Sequence, residues 1–175
     1  MAAATELALT KGARFITVAA VARKAGVARS SLYEYFSSSS DLIANLIIDE
    51  LEYFTERLDQ VIKDDLDPYQ KIENWISEGL QYVVDGRHML VKTLNSVAPP
   101  DDRKNEIALG HKKLVAPLRQ ALLATGVADL QQAASFISGV TDAASVRIES
   151  GFDAALEIQN AKDFAIAGIR ALVKK

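Results

Sequence analysis

Apolar residues recur at helical spacing along almost the whole chain, and no stretch sustains the apolar–polar alternation of a strand. Only nine glycines and four prolines interrupt the pattern, so helices are punctuated rather than prevented. The sequence predicts an all-α protein of about nine helices. Their expected spans are Ala2–Lys11, Val18–Ala25, Arg29–Phe36, Ser39–Asp64, Tyr69–Asp85, Arg87–Ser96, Asp101–Ala124, Asp129–Ser150 and Asp153–Val173. Thr17 suits an N-cap and Gly26 a tight turn that a side chain would resist. Ser38 and Asp41 form a capping-box pattern before the apolar run Leu42, Ile43, Leu46, Ile47. Pro68 suits a first helical turn, Pro99-Pro100 is the strongest break, and Pro117 is expected to kink its helix. Lys174-Lys175 would sit on the favourable side of the last helix dipole.

Composition limits the chemistry. Hydrophobic residues make up 49% of the 175 and charged residues 25%, ordinary values for a globular chain with a core. Without cysteine there is no disulfide, thiol nucleophile or zinc–cysteine site. Two histidines 23 positions apart, with no carboxylate in register, do not make a metal site. No nucleophile–base pair or glycine-rich phosphate loop is present, so no enzyme and no cofactor are expected. The longest apolar runs, such as Val18–Ala22, are far too short to span a bilayer, and no signal-peptide pattern opens the chain. No membrane partner and a cytoplasmic location are expected. Net charge is -3, but unevenly spread: residues 1–46 hold five basic and three acidic side chains, the other 129 hold 15 and 20. A basic head on an acidic body is the distribution expected when only the head meets phosphate.

Two short helices joined at Gly26 have the form of a helix-turn-helix. The second would enter the major groove with its N-terminal side chains at base edges. Arg29, Ser30 and Ser31 stand at that end, and Tyr33 and Tyr35 at its exposed end, where phenol hydroxyls reach the backbone. Thr17 and Val18, opening the preceding helix, offer main-chain N–H groups to a phosphate. A helical hairpin in an ordinary bundle would share this spacing. The segment resembles the DNA-binding domain of the TetR family of bacterial transcriptional regulators. The resemblance rests on Thr17-Val18, on Val21-Ala22-Arg23-Lys24-Ala25-Gly26-Val27, on Ser31-Leu32-Tyr33-Glu34-Tyr35-Phe36 and on Ser38 to Leu42. It departs from the family at Ala28, where a small hydroxyl residue usually opens the recognition helix, and at Ser39, commonly a lysine. A basic arm before the first helix is also missing. Fewer phosphate contacts imply weaker or more cooperative binding than in a typical relative, or a start that is too short.

The resemblance implies a helix-turn-helix domain over residues 1–46 and a helical ligand-binding and dimerisation domain over 47–175. Trp75, Gly79 and Tyr82 share a helix face, and with His88, Leu94, His111, Leu114, Phe136 and Val140 could line an apolar pocket. Aromatic residues at this spacing equally fill cores. Small residues on the eighth helix, among them Ala134 and Ser138, would let another helix approach closely. Phe164, Ile169 and Leu172 on the ninth spread apolar character over more than one face, which needs two packing partners. A homodimer interface is expected there. The whole reads as a TetR-type regulator, a repressor that binds double-stranded operator DNA as a dimer and is released by a small, largely apolar effector. A non-inducible architectural protein on the same fold is the alternative.

Overall fold

The computed structural model describes residues 2–173; Lys174-Lys175, and with them the expected dipole contact, lie outside the described residues. Among these are nine α-helices and no strand. They are α1 (Ala2–Lys11), α2 (Val18–Ala25), α3 (Arg29–Tyr33), α4 (Ser39–Val61), α5 (Pro68–Val84), α6 (Arg87–Leu94), α7 (Asp101–Thr125), α8 (Leu130–Glu149) and α9 (Ala154–Leu172). A short 3-10 turn, Ala13–Phe15, which the sequence pattern did not indicate, links α1 to α2. The chain divides into two compact units, Met1–Tyr53 with Arg87–His111, and Phe54–Gly86 with Lys112–Lys175. The units therefore do not coincide with residues 1–46 and 47–175. Residues 87–111 join the N-terminal segment because Leu90 and Leu94 of α6 are buried in its core, with Val97 and Ile107 packed against it.

In the first unit, α1 contributes Ala4, Leu7 and Ala8, α2 contributes Val18 and Val21, and α4 contributes Leu42, Ile43, Leu46, Ile47 and Leu51. These repeat at three and four residues, so each helix turns one stripe inward. The Thr17 hydroxyl accepts from the Ala20 N–H at 3.1 Å and caps α2. Gly26 ends it at φ +70°, with its N–H donating to the Ala22 carbonyl. Helix α3 is shorter than expected. No side chain caps its start at Ala28, and it closes at Tyr33 in a turn in which the Tyr35 and Phe36 N–H groups both donate to Leu32. That turn lays Leu32 and Phe36 against the core. The start of α4 is also not quite the expected box. The Ser38 hydroxyl accepts from the Asp41 N–H, but Asp41 Oδ2 reaches back to the N–H and hydroxyl of Ser37 rather than to Ser38.

In the second unit α5 packs on both α8 and α9, which also pack on each other. Ile72, Ile76 and Leu80 form its buried stripe, and Leu118, Leu122, Ala133, Ile137, Ala165, Ile166 and Ile169 complete the core. Helix α4 stops at Val61, three residues early, where Asn74 Nδ2 of α5 donates to the Val61 carbonyl and satisfies a group the helix end leaves open. Helix α5 starts one residue early on a complete capping box, Asp67 with Gln70, with Pro68 just inside it. Asp129 and Asp153 sit as N-caps of α8 and α9 rather than within them. Helix α7 continues through Pro117, whose missing N–H leaves Lys113 without its helical donor. One residue on, the Trp75 indole N–H donates to the Leu114 carbonyl at 3.2 Å and ties α5 to α7.

The left-handed backbone at Gly26 sets the angle between α2 and α3. Gly26→Val should destabilise the chain by about 1–2 kcal/mol, the cost of a side chain in that region, although a Cβ would meet nothing within 4 Å. Urea unfolding of the two proteins measures the difference.

Candidate nucleic-acid interface and apolar groove

Helix α3 and the ends around it present an exposed polar face. Arg29, Ser30, Ser31, Tyr33 and Tyr35 all reach solvent, Tyr35 at 76% exposure. Arg29 and Tyr33, one helical turn apart, are partners. An Arg29 Nη donates to the Tyr33 hydroxyl at 3.0 Å, and the guanidinium lies 5.1 Å from the ring centroid. The pair pre-orders an arginine that would otherwise sample many rotamers. Thr17 is exposed as well. Val18 differs: its side chain is 1% exposed and belongs to the core, so only its main chain remains for a ligand. Lys24 is engaged with Glu6 at 2.7 Å, while Lys11, Arg14 and Arg23 are exposed.

The pocket residues named from the sequence are divided between the two units. His88, Leu94 and His111 belong to the first unit, and Trp75, Gly79, Tyr82, Leu114, Phe136 and Val140 to the second. Leu94 is fully buried in the first core. Tyr82 is buried and stacks on Phe54 with centroids 4.7 Å apart. Gly79 faces Phe54 too: a Cβ there would lie 3.8 Å from Phe54 Cζ, in ordinary van der Waals contact. Trp75 is half-buried and spends its indole N–H on Leu114. His88 is half-buried and His111 exposed. Phe136 and Val140 fall elsewhere. The buried stripe of α8 is Ala133, Ile137 and Ala144, which turns Phe136 outward at 56% exposure.

That outward face forms a groove of about 750 Å³ with α9. Ser135, Phe136, Gly139, Val140 and Ala143 line it from α8, and Phe164, Gly168, Ile169 and Leu172 from α9. Of the expected interface residues, Phe164 stands 71% exposed, and Leu172 is half-buried. Ile169 lies only 2% exposed and belongs mainly to the core of the second unit. Ser138 is exposed and Ala134 half-buried against the core, and neither lines the groove. A Cβ at Gly139 or Gly168 would meet nothing within 4 Å.

The groove closes at an ion pair for which sequence spacing gave no signal. Arg147 Nε and Nη2 donate to the two carboxylate oxygens of Glu157, each at 2.7 Å, and the guanidinium lies 4.0 Å from the Phe152 ring centroid. Arg147 ends α8 and Glu157 opens α9, so both charges also suit their helix dipoles. The hydrogen bonds from Arg147 hold the Glu157 carboxyl below the usual glutamate range, and those to Glu157 raise the guanidinium further. The only hint available in sequence was an arginine and a glutamate on either side of the Gly151 turn.

Among the described residues no helix is long and apolar enough to cross a membrane, and no cluster of three or more histidine or acidic residues could hold a metal ion. Residues 1–46 match the family model described as bacterial regulatory proteins, tetR family. A stretch of 91 residues, 52% of the chain, is 26% identical to the fatty acid metabolism regulator protein of Bacillus subtilis (strain 168). It spans 47%, about half, of that relative's length. The fold matches the structure of a transcriptional regulator FadR from Bacillus subtilis in complex with stearoyl-CoA, with TM-score 0.78, 22% identity, and 95% and 96% of the two chains covered. It matches the fatty acid degradation regulator FadR from Bacillus halodurans at TM-score 0.77 and 18% identity over the same shares. The N-terminal segment is thus a tetR-family domain, and the chain has the fold of these regulators.

A depressed Glu157 carboxyl contributes stability that is complete above the ordinary glutamate range and is lost as pH falls through its lower folded value. Glu157→Gln removes that dependence. In thermal unfolding scans the parent's midpoint should fall more steeply than the variant's between pH 5 and pH 3, and parallel curves would contradict the assignment.

Proposed function

Starting from a tetR-family domain over residues 1–46, we propose that this protein is a homodimeric transcriptional regulator that binds a pseudo-palindromic operator and represses until an acyl-chain effector releases it. The observation that carries the reading is the exposed Arg29–Tyr33 pair on a helix following a Gly26 turn, inside that domain. On a duplex, Arg29 exchanges its bond to Tyr33 for the N7 and O6 acceptors of a guanine or for a phosphate. Tyr33 and Tyr35 donate phenol hydroxyls to the backbone, and Thr17 with the first N–H groups of α2 meets a phosphate. The uncapped Ala28 and the serine at position 39 supply fewer backbone contacts, so affinity leans on having two heads.

A second copy of the chain is the proposed occupant of the α8–α9 groove. Two large aromatic side chains, Phe136 and Phe164, stand in water there. The open space at Gly139 and Gly168 leaves room for a helix to come close. A two-fold arrangement covers both copies of the face at once and would set two α3 helices about 34–36 Å apart, one DNA turn. The effector class follows from the similar proteins, named for fatty acid metabolism and solved with stearoyl-CoA. An effector shifts the equilibrium only by preferring one state of the dimer.

One experiment tests these parts together: selection of a random-sequence duplex library by the parent chain, then binding of the enriched duplex by parent, Arg29→Ala and Phe164→Asp, each with and without stearoyl-CoA. Arg29→Ala should bind at least about tenfold more weakly, the loss of one bidentate contact. Phe164→Asp should sediment as a monomer and lose most affinity. Stearoyl-CoA should weaken the parent's binding. Failure to enrich any duplex would end the reading.

A further inference from the structure

Arg103, near the start of α7, lies among three partners within the first unit. Its Nε is 3.8 Å from Asp41 Oδ1 of α4 and 3.3 Å from Glu106 Oε2, one turn along its own helix. Its Nη2 donates to Asn45 Oδ1 of α4 at 3.4 Å. The Nε itself is buried and makes no hydrogen bond. An arginine with a desolvated, unsatisfied donor between two carboxylates is held loosely and would gain by completing a bond to either one. Asp41 is not a passive neighbour. While Oδ1 faces Arg103, Oδ2 accepts from both the N–H and the hydroxyl of Ser37, at 2.9 and 3.0 Å. Ser37 follows Phe36 directly, and Phe36 is the anchor that ends the α3 turn against the core. A polar chain thus runs from α7 through Asp41 to the segment that fixes the DNA-facing helix.

We propose that Arg103 is a positioning residue for α3, and that Glu106 is the competing partner through which its hold is released. With Arg103 turned to α4, Asp41 is pinned and Ser37 is fixed. With Arg103 turned to Glu106, Asp41 loses its cation, and the Phe36–Ser37 corner gains freedom. Helix α7 also supplies Leu118 and Leu122 to the second core. The inference deepens the regulator reading and rests on it for the consequence in DNA binding, but not for the local contacts.

The test compares Arg103→Gln, Arg103→Lys and Glu106→Gln with the parent. Amide hydrogen exchange at Ser37 is measured in the free full chain, and affinity for the duplex enriched by the parent is measured alongside. Arg103→Gln should speed Ser37 exchange and weaken duplex binding by about 2- to 30-fold, the range of network substitutions without ligand contact, while amides of the first turns of α7 keep the parent's protection. Arg103→Lys, which keeps the charge, should restore part of both. Glu106→Gln, which removes the competitor, should move both the other way. Unchanged Ser37 exchange in Arg103→Gln overturns the proposal, even if the duplex is still bound. Loss of protection along α7 overturns it too, because the effect is then unfolding. Altered Ser37 exchange with no duplex ever enriched leaves the positioning role standing and removes the regulator reading instead.

Discussion

Burial against the first half of α4 is the constraint on which the N-terminal unit depends. Helix α2 has eight residues and α3 only five. Helices so short are marginal in water, where nucleation outweighs the few bonds gained. They persist because Val18, Val21, Leu32 and Phe36 have Leu42, Ile43 and Leu46 to pack with. The exposed side chains of α3 are therefore placed by residues pointing the opposite way. The hydrogen bonds from Ser37 to Asp41 join the end of the α3 turn to α4.

The second unit meets a different constraint. Its core is well filled by α5, α7, α8 and α9, yet α8 and α9 remain apolar on the side away from it. The Arg147–Glu157 pair and the caps at Asp129 and Asp153 fix the two helices as a hairpin. The exposed aromatic face is thus carried by two helices tied to each other by side-chain contacts. A preorganised surface loses less entropy on association than a mobile one. Small residues, Gly139, Ala143 and Gly168, line it beside Phe136 and Phe164.

Much of this was legible in the sequence where a single residue carried a local mechanism. Thr17, Gly26 and Pro99-Pro100 marked the bounds of α2 and the start of α7, because caps and breaks act within a few residues. Helix α3 was read too long, since Tyr35 and Phe36 continue its period while the backbone turns. The complete box at Asp67 and Gln70 went unread beside the more conspicuous Pro68. Periodicity identified apolar faces but not the core each one joins. Leu94 and Tyr82 are buried in different units, and Phe136 stands 56% exposed. The pairs Arg147–Glu157 and Arg103–Asp41 were invisible for the same reason. They are contacts across turns or across the chain, and no spacing rule reaches them.

The most direct test of a two-headed DNA reader is a hydroxyl-radical footprint on a duplex the protein selects. Two protected patches on one side of the helix, one turn apart and related by a dyad, are the result this account predicts. A single patch, or protection that does not depend on sequence, would contradict it.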